Sequence, residues 1–354
     1  MNLTSNKFQL DLGNRKIGKD YPTYIIAEMS ANHGGEKNRA IEIIHKAKEA
    51  GADCVKLQTY TPDTMTLDSQ KKYFLINEGL WGGENLYSLY DKAHTPWEWQ
   101  KDLKKEAEKV GIDFFSTPYE NKSVDFLEKL DVNFYKVASF SLTNLPFLKY
   151  LASKGKPIIM STGMGTLGEI EEAVYTIRNE GNDQLALLNC SSSYPSIPQD
   201  MNLKKIPHMK ETFKVPVGLS DHTLGSVSAV AAVAKGAKII EKHFCLSRDI
   251  KTPDSSFSME PQEFEEMVQN IRATEKAIGE INYEISKKEK KSRKFRRSIF
   301  VVSNIKAGER FTKENIRIIR PGHGLKPKYY EDILEKKATK NIEKATPLEW
   351  DMVK

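Results

Sequence analysis

Two lysines, Lys56 and Lys136, stand inside apolar runs, CVKLQ and FYKVAS. An ammonium in such a run is costly unless it is paired or meets an anion. Hydroxyls close several similar runs: Ser116 and Thr117, Ser139, Ser161 and Thr162, Ser191 to Ser193, and Ser220. Two lysines and several hydroxyls facing one cavity describe an oxyanion site, with phosphate and carboxylate as its natural occupants. Either lysine alone reads equally well as one that snorkels or pairs with a glutamate; the two together do not. No Walker-type phosphate cradle is present, so a nucleoside triphosphate is not implied.

His222 and His243 end two further runs, VPVGLSDHT and KIIEKHF. Alone, each is ordinary as a general base or a hydrogen-bonded wall residue. As a pair on neighbouring strand ends, with Glu28 and Asp254 available, they suit a divalent cation. Two imidazoles fit a labile Mn²⁺- or Mg²⁺-like ion that keeps waters, rather than structural zinc. His45, His94 and His208 read as surface or packing residues, while His33 and His323 lie in Gly-flanked motifs and carry no assignment.

The elements that must position these groups alternate from Tyr24 to about Gly279. Eight β-rich runs stand out: YIIAE (24–28), DCVKLQ (53–58), DFFS (113–116), NFYKVA (133–138), PIIMS (157–161), LALLN (185–189), VPVGL (215–219) and KIIEKHF (238–244). Amphipathic helical patterns separate them, and Gly51, Gly111 and Gly236 sit where helix C-caps belong. Eight such units close most economically as an α/β TIM (β/α)8 barrel, whose chemistry gathers at the C-terminal ends of its strands. An open dinucleotide-binding sheet would need a GxGxxG after its first strand, and none is there. Residues 61–95 are too long for an ordinary loop and are expected to shape the active site. The expected boundaries are a barrel over 1–284, an extended charged linker over 285–297, and a small C-terminal domain over 298–354.

Composition narrows the function classes. The net charge of +6 is concentrated between Lys287 and Arg297, where eight Lys/Arg accompany one Glu. The remaining 46 basic and 47 acidic residues nearly cancel, so a nucleic-acid groove is not expected. No apolar stretch is long enough to span a bilayer, and the first twenty residues lack an apolar signal core, so a cytoplasmic location is expected. Cys54, Cys190 and Cys245 are odd in number and widely spaced, which reads as reduced, mostly buried thiols, with Cys190 at the border of the site.

With these residues assembled, the chain resembles the sialic acid synthase family over nearly its whole length. The motifs that carry the resemblance are IIAEMSANHGG, VKLQTYTPDT, FSTPY, YKVASF, MSTGM, CSSSYP, GLSDHT, IEKHF and TPDSSFSM. RRSIFV and RPGHGL resemble the antifreeze-like (SAF) domain that follows the barrel in that family. Within it, SANHGG, TYTPDTMTL and the GLWGGENLYSLYDKAHTPWEW insertion are most similar to the pseudaminic branch. That resemblance implies condensation of phosphoenolpyruvate with 2,4-diacetamido-2,4,6-trideoxy-L-altrose, giving a nine-carbon 2-keto acid and phosphate.

Carried over residue by residue, Lys56, Thr117, Lys136, Ser139, Ser161 and Ser220 would hold phosphoenolpyruvate. His222 and His243 would bind a divalent ion such as Mn²⁺, Mg²⁺ or Co²⁺. Glu28, or a water on the ion, would be the base. Glu28, Gln58, Tyr194 and Asp254 would meet the sugar, with Asp254 also near the ion. Arg320 would reach in from the SAF domain of a second subunit of a homodimer. Ser192 stands where sialic acid synthases commonly carry Asn, which favours a sugar other than N-acetylmannosamine. N-acetylneuraminic and legionaminic acid synthesis are the alternatives of the same chemistry, and a metal-dependent pyruvate aldolase the distant one.

Overall fold

Eight short β-branched and aromatic runs become eight parallel strands because a helix follows each one and returns the chain to the same end of the sheet. The structure, a computed structural model, describes residues 8–13 and 15–354. These fall into two units that divide between Gly279 and Glu280.

In the first unit a small antiparallel hairpin, β1 (Gln9–Asp11) and β2 (Lys16–Gly18), precedes the parallel strands. Those strands are β3 (Tyr24–Glu28), β4 (Cys54–Thr59), β5 (Asp113–Pro118), β6 (Tyr135–Val137), β7 (Ile158–Ser161), β8 (Leu185–Cys190), β9 (Val217–Asp221) and β10 (Ile239–His243). They run in chain order around the sheet, and β10 pairs back onto β3, with His243 opposite Glu28. The remaining neighbours, β5 and β6, meet through side chains: the Phe115 and Phe134 rings lie 4.2 Å apart. The eight expected strands are therefore all present, and the architecture is the TIM-like barrel expected.

Alternation along the strands builds two cores. Ile25, Ala27, Val55 and Leu57 face the surrounding helices. Tyr24, Ile26, Cys54, Phe115, Phe134, Ile159, Ala186, Leu188 and Ile239 fill the lower interior, together with Leu10, Leu12 and Ile17 of the hairpin. The hairpin thus plugs the N-terminal mouth. Arg15 fastens it there, 2.8 Å from Asp53 and 3.1 Å from Asp113. Nothing in the sequence pattern announced this plug, since strands of three residues are too short to display a period of two. Gly111 ends the helix Trp97–Val110 in the left-handed conformation at φ 71°, as the C-cap reading requires.

The 61–95 insertion is not structureless. It folds into short helices at Pro62–Met65 and Leu86–Ala93, and in the segment between them Leu75 forms an antiparallel bridge with Asn85.

The second unit holds an antiparallel pair, β11 (Ser298–Val301) and β12 (Ile316–Ile319). Ile299, Val301, Ile305, Phe311, Ile316, Ile333, Ile342 and Leu348 form its own core. The charged segment expected to be extended instead forms a short exposed helix, Lys287–Ser292. A capping box between Ser286 and Glu289 holds its first turn and offsets the missing apolar face.

Candidate active site

Side chains two apart share a strand face, and that rule decides which strand-end groups meet. On β10, Glu241 and His243 enter the barrel, while Lys242 turns outward and pairs with Asp221 at 2.8 Å. Ser220 on β9 and His222 just beyond its end also enter. Ser116 also turns away, its hydroxyl 2.6 Å from that of Thr59. The inward groups line a cavity of about 640 Å³ above the apolar plug.

At its floor two ammoniums face two carboxylates. Lys56 lies 2.5 Å from Glu28 and 3.4 Å from Glu241, and donates to the Thr117 hydroxyl at 3.3 Å. Lys136 donates to Ser161 Oγ at 2.7 Å and lies 3.8 Å from Glu241, whose Oε1 accepts from Ser220 at 3.1 Å. Ser139 Oγ accepts the Gly163 amide at 3.0 Å beside them. The structure thus brings all six expected anion-binding side chains to one floor. Burial pushes the Glu28 carboxyl above its usual range, since it outweighs the attraction of Lys56. Burial also lowers Lys136. Burial opposes the charge of Glu241 as well, but Lys136 and Lys56 together hold that carboxyl below its usual range.

In the sequence Glu241 is one of three consecutive polar residues closing the last strand, and nothing local singles it out. It sits at the centre of the floor, and its Oε2 is buried without a hydrogen-bond partner. Its parity with His243 was the available signal.

The two imidazoles stand above this floor with ring centroids 5.3 Å apart. His222 Nδ1 lies 2.8 Å from the Ser191 carbonyl, which can only accept, so Nδ1 carries a proton and Nε2 is the nitrogen left for a ligand. His243 Nδ1 is buried without a hydrogen-bond partner, and burial with the nearby positive groups holds this ring well below the usual imidazole range. Burial opposes the charge of His222, but Cys190 and the Ser191 carbonyl hold its pKa above the usual imidazole range, so a cation there would displace a proton from Nε2. With that nitrogen and the unpartnered Nδ1 of His243, the pair fits a divalent cation. Among the described residues no cluster of three His, Cys, Asp or Glu side chains gathers to hold one, so oxygens of water or substrate would supply the remaining ligands.

The other expected residues divide. Gln58 donates to Glu28 at 3.1 Å and to Ser30 Oγ at 2.8 Å, and accepts from Tyr119 at 3.1 Å. Tyr194 lays its ring 4.4 Å from that of His222. Asp254 is buried, accepts the Ala31 amide at 3.3 Å and lies 3.9 Å from His243 Nδ1. Arg320 is exposed in the second unit, on the segment after β12. Cys190 lines the cavity, with Sγ 3.9 Å from His222 Nδ1. Trp81, in the GLWGG stretch of the insertion, was given no role of its own by the sequence; it donates from Nε1 to the Pro253 carbonyl at 2.9 Å and places its ring 5.6 Å from Tyr194. The insertion therefore roofs the cavity.

His33 belongs to the support, not the site. Its Nδ1 accepts the Gly35 amide at 3.1 Å and its Nε2 meets the Thr95 hydroxyl at 3.1 Å, which leaves no room for a second ring proton. Burial lowers its pKa from 6.5 to about 4. The folded state thus favours the neutral ring, so this contribution is complete above pH 6.5 and is lost as pH falls towards 4. The expected loss is about 3 kcal/mol across that window. Denaturant titrations at stepped pH should show it in the parent, and His33→Asn, which keeps the acceptor for Gly35, should flatten it. An equally steep decline in the variant would refute the assignment.

Residues 43–283 match the NeuB family and residues 296–354 the SAF domain. The chain is 44% identical over 334 residues to the pseudaminic acid synthase of Campylobacter jejuni subsp. jejuni serotype O:23/36, covering 94% of this chain and 97% of that one. It is 44% identical over 331 residues to the pseudaminic acid synthase of Helicobacter pylori, covering 93% and 97%. Among solved structures, the N-acetylneuraminic acid synthetase of Leptospira borgpetersenii serovar Hardjo-bovis superposes with a TM-score of 0.72 at 32% identity, covering 80% of this chain and 94% of that one.

Proposed function

The chain belongs to the NeuB family and carries a SAF domain, and from that premise we propose that it acts as a pseudaminic acid synthase. In that reaction C3 of phosphoenolpyruvate bonds to the aldehyde carbon of 2,4-diacetamido-2,4,6-trideoxy-L-altrose, water adds at C2, and the C2–O bond breaks to release phosphate. The observation that carries this reading is the buried floor of Lys56 and Lys136, which donate to the hydroxyls of Thr117 and Ser161, set beneath the paired imidazoles of His222 and His243. The choice of sugar rests on the two relatives at 44% identity.

Lys56 and Lys136 neutralise the phosphate and carboxylate of phosphoenolpyruvate, and Ser139, Ser161, Thr117 and Ser220 orient them. His222 and His243 would hold a divalent ion, which when bound would supply Lewis acidity at the aldehyde oxygen, where negative charge develops. Glu28, raised by burial, is suited to take a proton from the water that adds at C2. Gln58 and Tyr194 fix the sugar, and Asp254 anchors the loop that carries Ala31 beside it.

Offered competing sugars with phosphoenolpyruvate, the protein should yield the pseudaminic product by mass. A product from N-acetylmannosamine or the legionaminic precursor instead would keep the chemistry and overturn the branch.

The same reading includes a homodimer in which Arg320 of the SAF domain completes a neighbouring subunit's site, and a cytoplasmic setting. Exposed Phe140, Met164, Ile197 and Leu224, on the loops after β6 to β9, support it as an apolar rim that a partner would cover. Arg320→Ala should remove turnover while thermal stability stays unchanged; full turnover in that variant would exclude this role for the arm. None of the described helices is long and apolar enough to cross a membrane.

A further inference from the structure

The cavity is chemically two-sided. Every charged group on its lining comes from a strand end or from the loop after β10, whereas the insertion contributes Met65, Ile76, Leu86, Leu89 and Ala93. The polar atoms the insertion brings to the same wall are mostly already committed. The Thr64 hydroxyl accepts the Thr61 amide at 3.0 Å and donates to the Thr61 carbonyl at 2.8 Å, closing the cap of its own helix. Trp81 Nε1 is bound to Pro253. Tyr90, whose ring packs at 5.7 Å on Tyr60, adds one hydroxyl. The remainder of the wall is aliphatic carbon.

We propose that this wall, which includes Ile76 and Leu86, is the specificity-determining surface for the end of the sugar remote from the aldehyde, and that it selects acceptors bearing a C6 methyl over those bearing a C6 hydroxymethyl. The inference rests on the pseudaminic reading. The aldehyde must sit near His222 and His243 for the reacting carbons to meet, so an extended six-carbon chain directs C6 away from the charged floor and towards the insertion. A methyl there is buried against carbon. A hydroxyl there loses water and meets side chains that, Tyr90 apart, cannot bond it. An apolar pocket rejects an added hydroxyl only moderately, so the selection should be about ten- to a hundredfold rather than absolute.

The test compares kcat/KM for 2,4-diacetamido-2,4,6-trideoxy-L-altrose with that for its 6-hydroxy counterpart, in the parent, Ile76→Thr and Leu86→Asn. The parent should favour the deoxy sugar by about tenfold or more, and each variant should narrow that ratio by about threefold or more, with KM for phosphoenolpyruvate unchanged. A ratio between two sugars is insensitive to the fraction of protein folded, and the unchanged KM reports an intact floor. A parent that uses both sugars equally, or variants that leave the ratio in place, would overturn the wall's role while leaving the synthase reading intact. No phosphate release with either sugar would overturn both.

Discussion

Lys136→Met should give a folded protein whose kcat/KM for phosphoenolpyruvate is reduced by about a thousandfold. Lys136 is 2% exposed, and its ammonium spans Ser161 at 2.7 Å and the Val137 carbonyl at 3.0 Å. Methionine matches the length of the stem and removes only the charge. In the parent the floor balances Lys56 and Lys136 against Glu28 and Glu241, so an arriving anion meets no net repulsion. Without Lys136 the floor carries an excess negative charge, and each lost charge-assisted bond contributes about 1.5–3 kcal/mol. The loss should appear in kcat as well as KM, because phosphate gains charge as the C–O bond breaks. Steady-state kinetics with circular dichroism decide the matter: near-parent kinetics in a folded variant would remove Lys136 from the anion site. The pH profile adds a second reading. Burial lowers the pKa of Lys136, so its positive charge is lost as pH rises through that value, and an alkaline limb of activity should follow.

Removal of divalent cations should abolish turnover, and Mn²⁺ should restore it. The basis is the pair His222 and His243, one ring fixed in its tautomer by the Ser191 carbonyl and the other holding a buried Nδ1 without a partner. The pair would supply two ligands, so the proposed ion should be weakly held and dialysis against EDTA should remove it. His222→Ala and His243→Ala should each weaken Mn²⁺ binding by about a hundredfold or more, since even the loss of a supporting partner costs ten- to a hundredfold. Electron paramagnetic resonance of free Mn²⁺ reads this without reference to activity. Full turnover after exhaustive chelation, or parent-like Mn²⁺ affinity in both variants, would exclude the site.

Much of this arrangement was legible in the sequence because each barrel strand is a β-branched run that ends in polar residues, and polarity there has few structural explanations. Lys56, Lys136, His222 and His243 announced themselves by interrupting apolar patterns. Glu241 did not, because in IIEKHF three polar residues occur together and only strand parity separates Glu241 and His243 from Lys242. The plug formed by Leu10, Leu12 and Ile17 was hidden by its brevity, and its contacts are with residues far along the chain. The roof was visible as an excess of length. Its attachment through Trp81 to Pro253 depends on a contact across 172 positions that no local pattern encodes. The charged segment was misread as extended because it lacks an apolar face, yet Ser286 and Glu289 were the capping signal that a short helix needs.

The central claim is that this barrel condenses phosphoenolpyruvate with an acetamido aldose by breaking the C–O bond. The measurement that meets it most directly is a turnover with phosphoenolpyruvate labelled with ¹⁸O in the bridging position, Mn²⁺ and the diacetamido-trideoxy-altrose, with phosphate and sugar product both read by mass. Labelled phosphate together with a nine-carbon 2-keto acid is the predicted result. Label retained in the organic product, or no phosphate released, would contradict it.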